Sequence, residues 1–272
     1  MTQLSGFLSY PFMVHALIVG LLVSVCCALL GVSLVLRRYS MIGDGLSHVG
    51  FGALAIATVA GMAPLALAIP VVVLSAFVLL RISEKSKIRA DAAIALISTG
   101  ALAIGVMAVS MNSGINTEIS NYMFGSILAL SHSDVVLSVI LAVIVLLFFI
   151  FFYHRIFAVT FDETFAKATG VRAGLYNTLT AMFTALTVVL GMRMMGALLI
   201  SALIIFPPLT AMRVCRTFRT VTVCSLILSL FSFTAGLLLS FLYGTPAGAG
   251  IVVTDLVFFA LFSVAGAVRR RR

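Results

Sequence analysis

Charge is what this sequence has least of. Only 9% of its 272 residues are Asp, Glu, Lys or Arg and 62% are hydrophobic, against about 25% charged in a soluble domain. With a mean hydropathy of +1.26, a soluble globular protein is excluded and a polytopic membrane protein is indicated. No polar stretch is long enough for a separate catalytic domain, so residues 1–272 read as a single transmembrane domain. No Lys or Arg occurs in the first 36 residues. A secretory signal's basic n-region is therefore missing, and the first apolar run is expected to stay as a helix. No Gly-Lys-Ser or Gly-Lys-Thr is present, so the chain has no Walker A loop for ATP. His-Glu-x-x-His is missing too, and the four histidines lie far apart, which argues against a membrane metalloprotease. Cys26, Cys27, Cys215 and Cys224 form no Cys-x-x-Cys pair and read as small apolar residues.

What is present is a series of apolar runs. At about 20 residues per span they divide into about nine helices: 12–36, 41–61, 64–80, 92–111, 135–153, 173–190, 196–212, 220–243 and 250–268. Gly191-Met-Arg-Met-Met195 is expected as a short turn, with Pro207-Pro208 near the end of the seventh span. The net charge of +9 follows this division. With the N-terminus outside and the C-terminus inside, 16 of the 17 basic residues fall in inner loops or in Arg269–Arg272, leaving Arg193 outside. That is the positive-inside pattern rather than a nucleic-acid surface, so no nucleic-acid partner is expected.

The polar residues inside the spans carry the chemistry. Asp44 and His48, in Met41-Ile-Gly-Asp-Gly-Leu-Ser-His-Val-Gly-Phe-Gly52, are four residues apart and share one helix face. His48 lies about 15 Å of helical rise beyond Arg38, near the middle of a roughly 30 Å apolar core. Ionisable groups there need a partner, and carboxylate plus imidazole suits a divalent transition metal. The competing reading is a hydrogen-bonded pair that only holds helices together. Gly43, Gly45, Gly50 and Gly52 suit close helix packing or a helix that shifts. Ser47 could orient the pair or bond its own backbone. Asp255, in the ninth span, is a weaker metal-pathway candidate, or a helix-start cap. Glu118, His132 and Asp134, within an irregular segment, 112–134, read as an entry vestibule, as a contact for a delivery protein, or as a solvated loop. Met192, Met194 and Met195 read as a soft-metal cluster or as lipid-facing packing. In the connector, Asp162-Glu163 precede Phe165 and Ala166 as acids at the N-terminus of a short helix, with Phe165 placed to enter a partner's cleft.

Gly43-Asp-Gly-Leu-Ser-His48, Asp162-Glu-Thr-Phe-Ala-Lys-Ala-Thr-Gly170, Gly196-Ala-Leu-Leu-Ile-Ser-Ala-Leu-Ile-Ile-Phe-Pro-Pro208 and Tyr122-Met-Phe-Gly125 together resemble one family. It is the permease subunit of bacterial ABC importers for zinc, manganese and related ions. The resemblance spans essentially the whole chain. It implies a type II ABC-importer-like fold in the bacterial cytoplasmic membrane and a homodimer with the pathway between subunits. It also implies ABC ATPase subunits on the inner face and an extracytoplasmic metal-binding protein that delivers the ion. On this resemblance Asp44 and His48 line the pathway, and Asp162, Glu163, Phe165, Ala166 and Gly170 form the helix that couples to the ATPase. No resident cofactor is implied, only a transported divalent metal. Val49-Gly-Phe-Gly-Ala53 stands where many manganese-type members have Leu-Pro-Gly, which leans towards zinc, with manganese or ferrous iron as the other cargoes. The competing class is a secondary metal transporter driven by an ion gradient. It would need more acids within the spans and gives no role to the 162–170 segment.

Overall fold

The computed structural model describes residues 11–85, 90–111, 123, 125 and 132–271. Among these residues run eleven α-helices: α1 (Pro11–Leu36), α2 (Met41–Val59), α3 (Pro64–Lys85), α4 (Ala90–Ser110), α5 (His132–Phe151), α6 (Tyr153–Phe161), α7 (Glu163–Ala168), α8 (Ala173–Met195), α9 (Ala197–Val214), α10 (Phe218–Tyr243) and α11 (Ala247–Arg271). Among the described residues nine of these are long and apolar enough to cross a membrane, in the order that the runs predict. Two short helices, α6 and α7, occupy the polar connector.

Helix α2 sits at the centre. It packs against α3, α4, α8 and α9, and 72% of its most apolar window is buried, against 22% for α11. Its glycines permit this. A side chain at Gly52 would run into the Ala101 carbonyl of α4, and one at Gly105 would stand 2.7 Å from the Gly52 Cα. Two backbones therefore meet where ordinary side chains would hold them apart.

Helix α9 contains both Pro207 and Pro208 and continues to Val214. A proline has no N–H for the carbonyl one turn back, so Pro208 leaves the Ile204 carbonyl without its helical donor. Gly31 of α1 lies against that oxygen, close enough for a Cα–H contact to cover it. The prolines thus fall within the span, at a seam with α1, rather than at its end.

Two other expectations change. The methionine turn does not form: α8 runs on through Met195, and Gly196 alone breaks the chain at φ 86°. The bundle surrounds this end of α8 and buries Met192, Met194 and Met195 alike, so none of them faces lipid. Asp134 is buried as well, and Arg193 Nη1 donates to its Oδ1 at 3.2 Å, joining α5 to α8. It is therefore neither a vestibule nor a solvated-loop residue. Glu118 lies outside the described residues.

The α1–α2 turn is tightly bonded. Tyr39 N–H donates to the Leu34 carbonyl at 2.8 Å and Arg38 N–H to that of Val35 at 3.0 Å. This is the paired bonding that closes a helix through a left-handed residue. Here that residue is Arg38, at φ 62°, among the described residues the one non-glycine with positive φ. An L side chain there costs roughly 1–2 kcal/mol. Helix α7 closes in the same way, with Val171 bonded to Ala166 and Gly170 to Lys167, but its left-handed position holds Gly170 at φ 84°.

Candidate metal site

Asp44 stands in the first turn of α2, where the unpaired N–H groups of a helix start favour a carboxylate. One turn on, His48 Nε2 lies 3.6 Å from Asp44 Oδ2. That exceeds a hydrogen bond. It is close to the separation of two atoms bound to one tetrahedral metal, which bonds near 2.0–2.1 Å and a tetrahedral angle set at about 3.3 Å. The side chains are 32% and 38% exposed. Both open into a cavity of about 280 Å³ lined also by Ser47, Phe51, Leu102, Met123, Ala197, Leu198 and Ser201. Among the described residues this lining includes no Lys or Arg.

The cavity belongs to several elements. α2 supplies the pair, α4 supplies Leu102, α9 supplies Ala197, Leu198 and Ser201, and Met123 comes from the segment before α5. Ser47 is buried and donates to the Gly43 carbonyl at 2.9 Å, so its own backbone holds it. Its Oγ also lies 3.2 Å from that of Ser201, joining α2 to α9 beside the pair. No group of three or more His, Cys, Asp or Glu forms among the described residues. The pair offers two strong ligands, flanked by serine hydroxyls and the Met123 thioether.

Asp255 is placed elsewhere. It lies nine positions into α11, too far along to cap the helix start, and α11 packs on α9 and α10. The carboxylate is buried near Ser232 of α10, its Oδ2 has no hydrogen-bond partner among the described residues, and the cavity around Asp44 and His48 does not include it. Buried polar groups normally find a partner; Asp255 is a buried acid outside that cavity.

At the connector, Asp162 caps α7 by accepting from Phe165 N–H at 2.8 Å. Phe165 is 62% exposed, while Ala166 is fully buried beneath it. Glu163 Oε2 accepts from Arg37 Nη2 at 2.6 Å and from Asn177 Nδ2 at 3.2 Å, and its Oε1 pairs with Lys167 at 2.6 Å. Arg37 Nη1 donates to Asn177 Oδ1. Burial acts to raise the Glu163 pKa, but the hydrogen bonds from Lys167 and Asn177 and the Arg37 charge outweigh it, and the carboxyl is held below its ordinary value. In the sequence Arg37 marks a loop end. Its pairing with an acid 126 positions away has no local signal. Met123 and Ser201 do fall within the resembling stretches Tyr122–Gly125 and Gly196–Pro208, but nothing in their spacing directs them to Asp44.

A bundle of apolar helices around a carboxylate–imidazole pair in an open cavity has the form of a membrane carrier for a cation. The model of the ABC 3 transport family matches residues 9–266. The chain belongs to that family, and is a multi-pass protein of the bacterial inner membrane. Among its relatives, the high-affinity zinc uptake system membrane protein ZnuB of Haemophilus influenzae is 29% identical, over 93% of this chain and 97% of its own length. The manganese transport system membrane protein MntC of Halalkalibacterium halodurans is 28% identical over 93% and 87%. A probable iron transport system membrane protein of H. influenzae is 29% identical over 97% of both. In a solved structure of PsaBC from Streptococcus pneumoniae in complex with Fab, one chain superposes with a TM-score of 0.84 at 27% identity, covering 95% of this chain and 93% of that one. The fold is thus that of a metal-ion ABC permease. Three metals at nearly equal identity do not choose among themselves.

Proposed function

We propose that this chain is the permease subunit of an ATP-driven importer in which Asp44 and His48 bind a divalent metal in transit. The observation that carries the reading is the pair itself, at ligand-like spacing and open to a cavity with no Lys or Arg among its described lining residues. The chain works as a homodimer, N-terminus out and C-terminus in, with the path between copies. A second copy adds another Asp and His, and two of each meet the four-ligand preference of zinc. Zinc is therefore the first cargo to test, ahead of manganese, which favours six oxygen ligands, and of ferrous iron. An extracytoplasmic metal-binding protein delivers the ion.

The energy comes from a separate ABC ATPase. Phe165 of α7 docks in it, and ATP-driven rocking exposes the pair alternately to either side. Asp162 holds the helix start, Ala166 seats it on the bundle, and Gly170 turns the chain back into α8.

The test is uptake of radiolabelled zinc, manganese and iron by cells expressing the permease with its ATPase, wild type against His48→Ala. Uptake of one ion that the substitution abolishes supports the reading and names the cargo. Uptake that survives the substitution reduces the pair to helix packing. Uptake without the ATPase, driven by an ion gradient, would establish a secondary transporter instead.

A further inference from the structure

We propose that Arg37 is the positioning residue through which displacement of α7 reaches the metal-binding turn of α2; this rests on the coupling role given to α7 above. Helix α6 is already clamped to the bundle. Phe218 at the start of α10 packs against Phe149, Tyr153, Phe157 and Phe161, and Arg155 Nη1 donates to Tyr176 Oη at 2.6 Å. Helix α7 has only six residues and buries Ala166 alone. A firm polar attachment to the spanning helices is the Glu163 carboxylate, held by Arg37 of the α1 end and Asn177 of α8.

Arg37 is placed to pass a displacement on. Its side chain is 15% exposed and shares its planar donor fork between the Glu163 carboxylate and the Asn177 amide oxygen, which fixes direction as well as charge. Only residues 38–40 separate it from α2, and the turn they make has little slack: Tyr39 N–H is bonded back to Leu34, and Ile42 N–H to Tyr39 at 3.0 Å. Arg38 sits in a strained left-handed conformation, of the kind found at switch regions. Asp44 lies in the first turn beyond. A pull on Glu163 therefore acts on the start of α2, while Asn177 holds α8 in register.

The experiment uses the permease assembled with its ATPase in liposomes, comparing wild type, Arg37→Gln and Arg37→Lys. Nitroxide labels at the exposed positions Met41 and Phe231 report the α2 start against α10 by pulsed electron resonance. In wild type ATP shifts this distance; in Arg37→Gln the shift is lost, ATP hydrolysis stays within about two-fold, and metal uptake per ATP falls at least ten-fold. Arg37→Lys, which keeps the charge but not the fork, gives an intermediate ratio. An ATP-dependent shift that persists in Arg37→Gln overturns the proposal, as does hydrolysis falling in proportion to uptake. If Arg37→Gln does not assemble, a wild-type ratio and shift in Arg37→Lys overturns it. The distance needs no metal, so it stands apart from the metal site: His48→Ala that loses uptake but keeps the shift leaves the relay intact, and a shift in wild type alone upholds it even if His48→Ala transports normally.

Discussion

Asp44 and Glu163 occupy the same local setting. Each is an acid in the first turn of a helix, and each faces a nitrogen base four residues on, His48 or Lys167. At Glu163 both oxygens are taken, at 2.6 Å by Lys167 and at 2.6 Å by Arg37, with Asn177 added. At Asp44 the base stands 3.6 Å away and, among the described residues, the cavity lining brings no Lys or Arg. An acid with resident partners holds two elements together. An acid that faces open space, with its helix neighbour beyond hydrogen-bond distance, ties no elements together and stays accessible from the cavity.

The largest effect should follow from removing a proposed metal ligand. Asp44→Ala should lower metal uptake about 100-fold or more, while the complex with the ATPase, followed by co-purification, stays intact. Retained uptake would erase the distinction between the two acids. Next comes Phe165→Glu, which should weaken ATPase binding by about 2 kcal/mol, the loss of one buried aromatic anchor, or about 30-fold in Kd. Unaltered binding by calorimetry would take Phe165 out of the interface.

Glu163→Gln sharpens the comparison through pH. The folded Glu163 pKa lies below its unfolded value, so its stabilisation is fully present above the unfolded pKa and is lost as pH falls through the folded one. The variant should therefore melt below wild type at pH 7, and the two melts should converge in acid. A gap that widened as pH fell would contradict the pairing. Smallest is Arg38→Gly, which relieves left-handed strain of roughly 1 kcal/mol and should raise Tm by about 2–4 °C. A lower Tm would mean that the Arg38 side chain contributes more than its backbone costs.

Nine spans were legible because each helix in lipid must satisfy its own backbone and show lipid an apolar face, which leaves an unbroken signature. The Asp44/His48 face was legible from spacing alone, and so was the helix at 163–168, from its acids and Phe165. What lay hidden depends on distant approach. Arg37 meets Glu163 across 126 residues, and Ser47 meets Ser201 across 154. Met192 and Met194 misled because a broken-looking run of methionine and arginine still completes a helix when the bundle buries it. Asp255 was ambiguous for a related reason: sequence places it in a span, and only packing puts α9 and α10 around it.

The two prolines of α9 have a mechanical consequence. Bending an ordinary helix breaks ladder bonds, and each break resists the bend. At Pro207 and Pro208 those rungs were never formed, and the Ile204 carbonyl rests on Gly31 instead. The segment above them carries Ser201, whose Oγ lies 3.2 Å from that of Ser47, and the segment below ends at Val214. With those rungs missing, this is the place in α9 where a bend costs least.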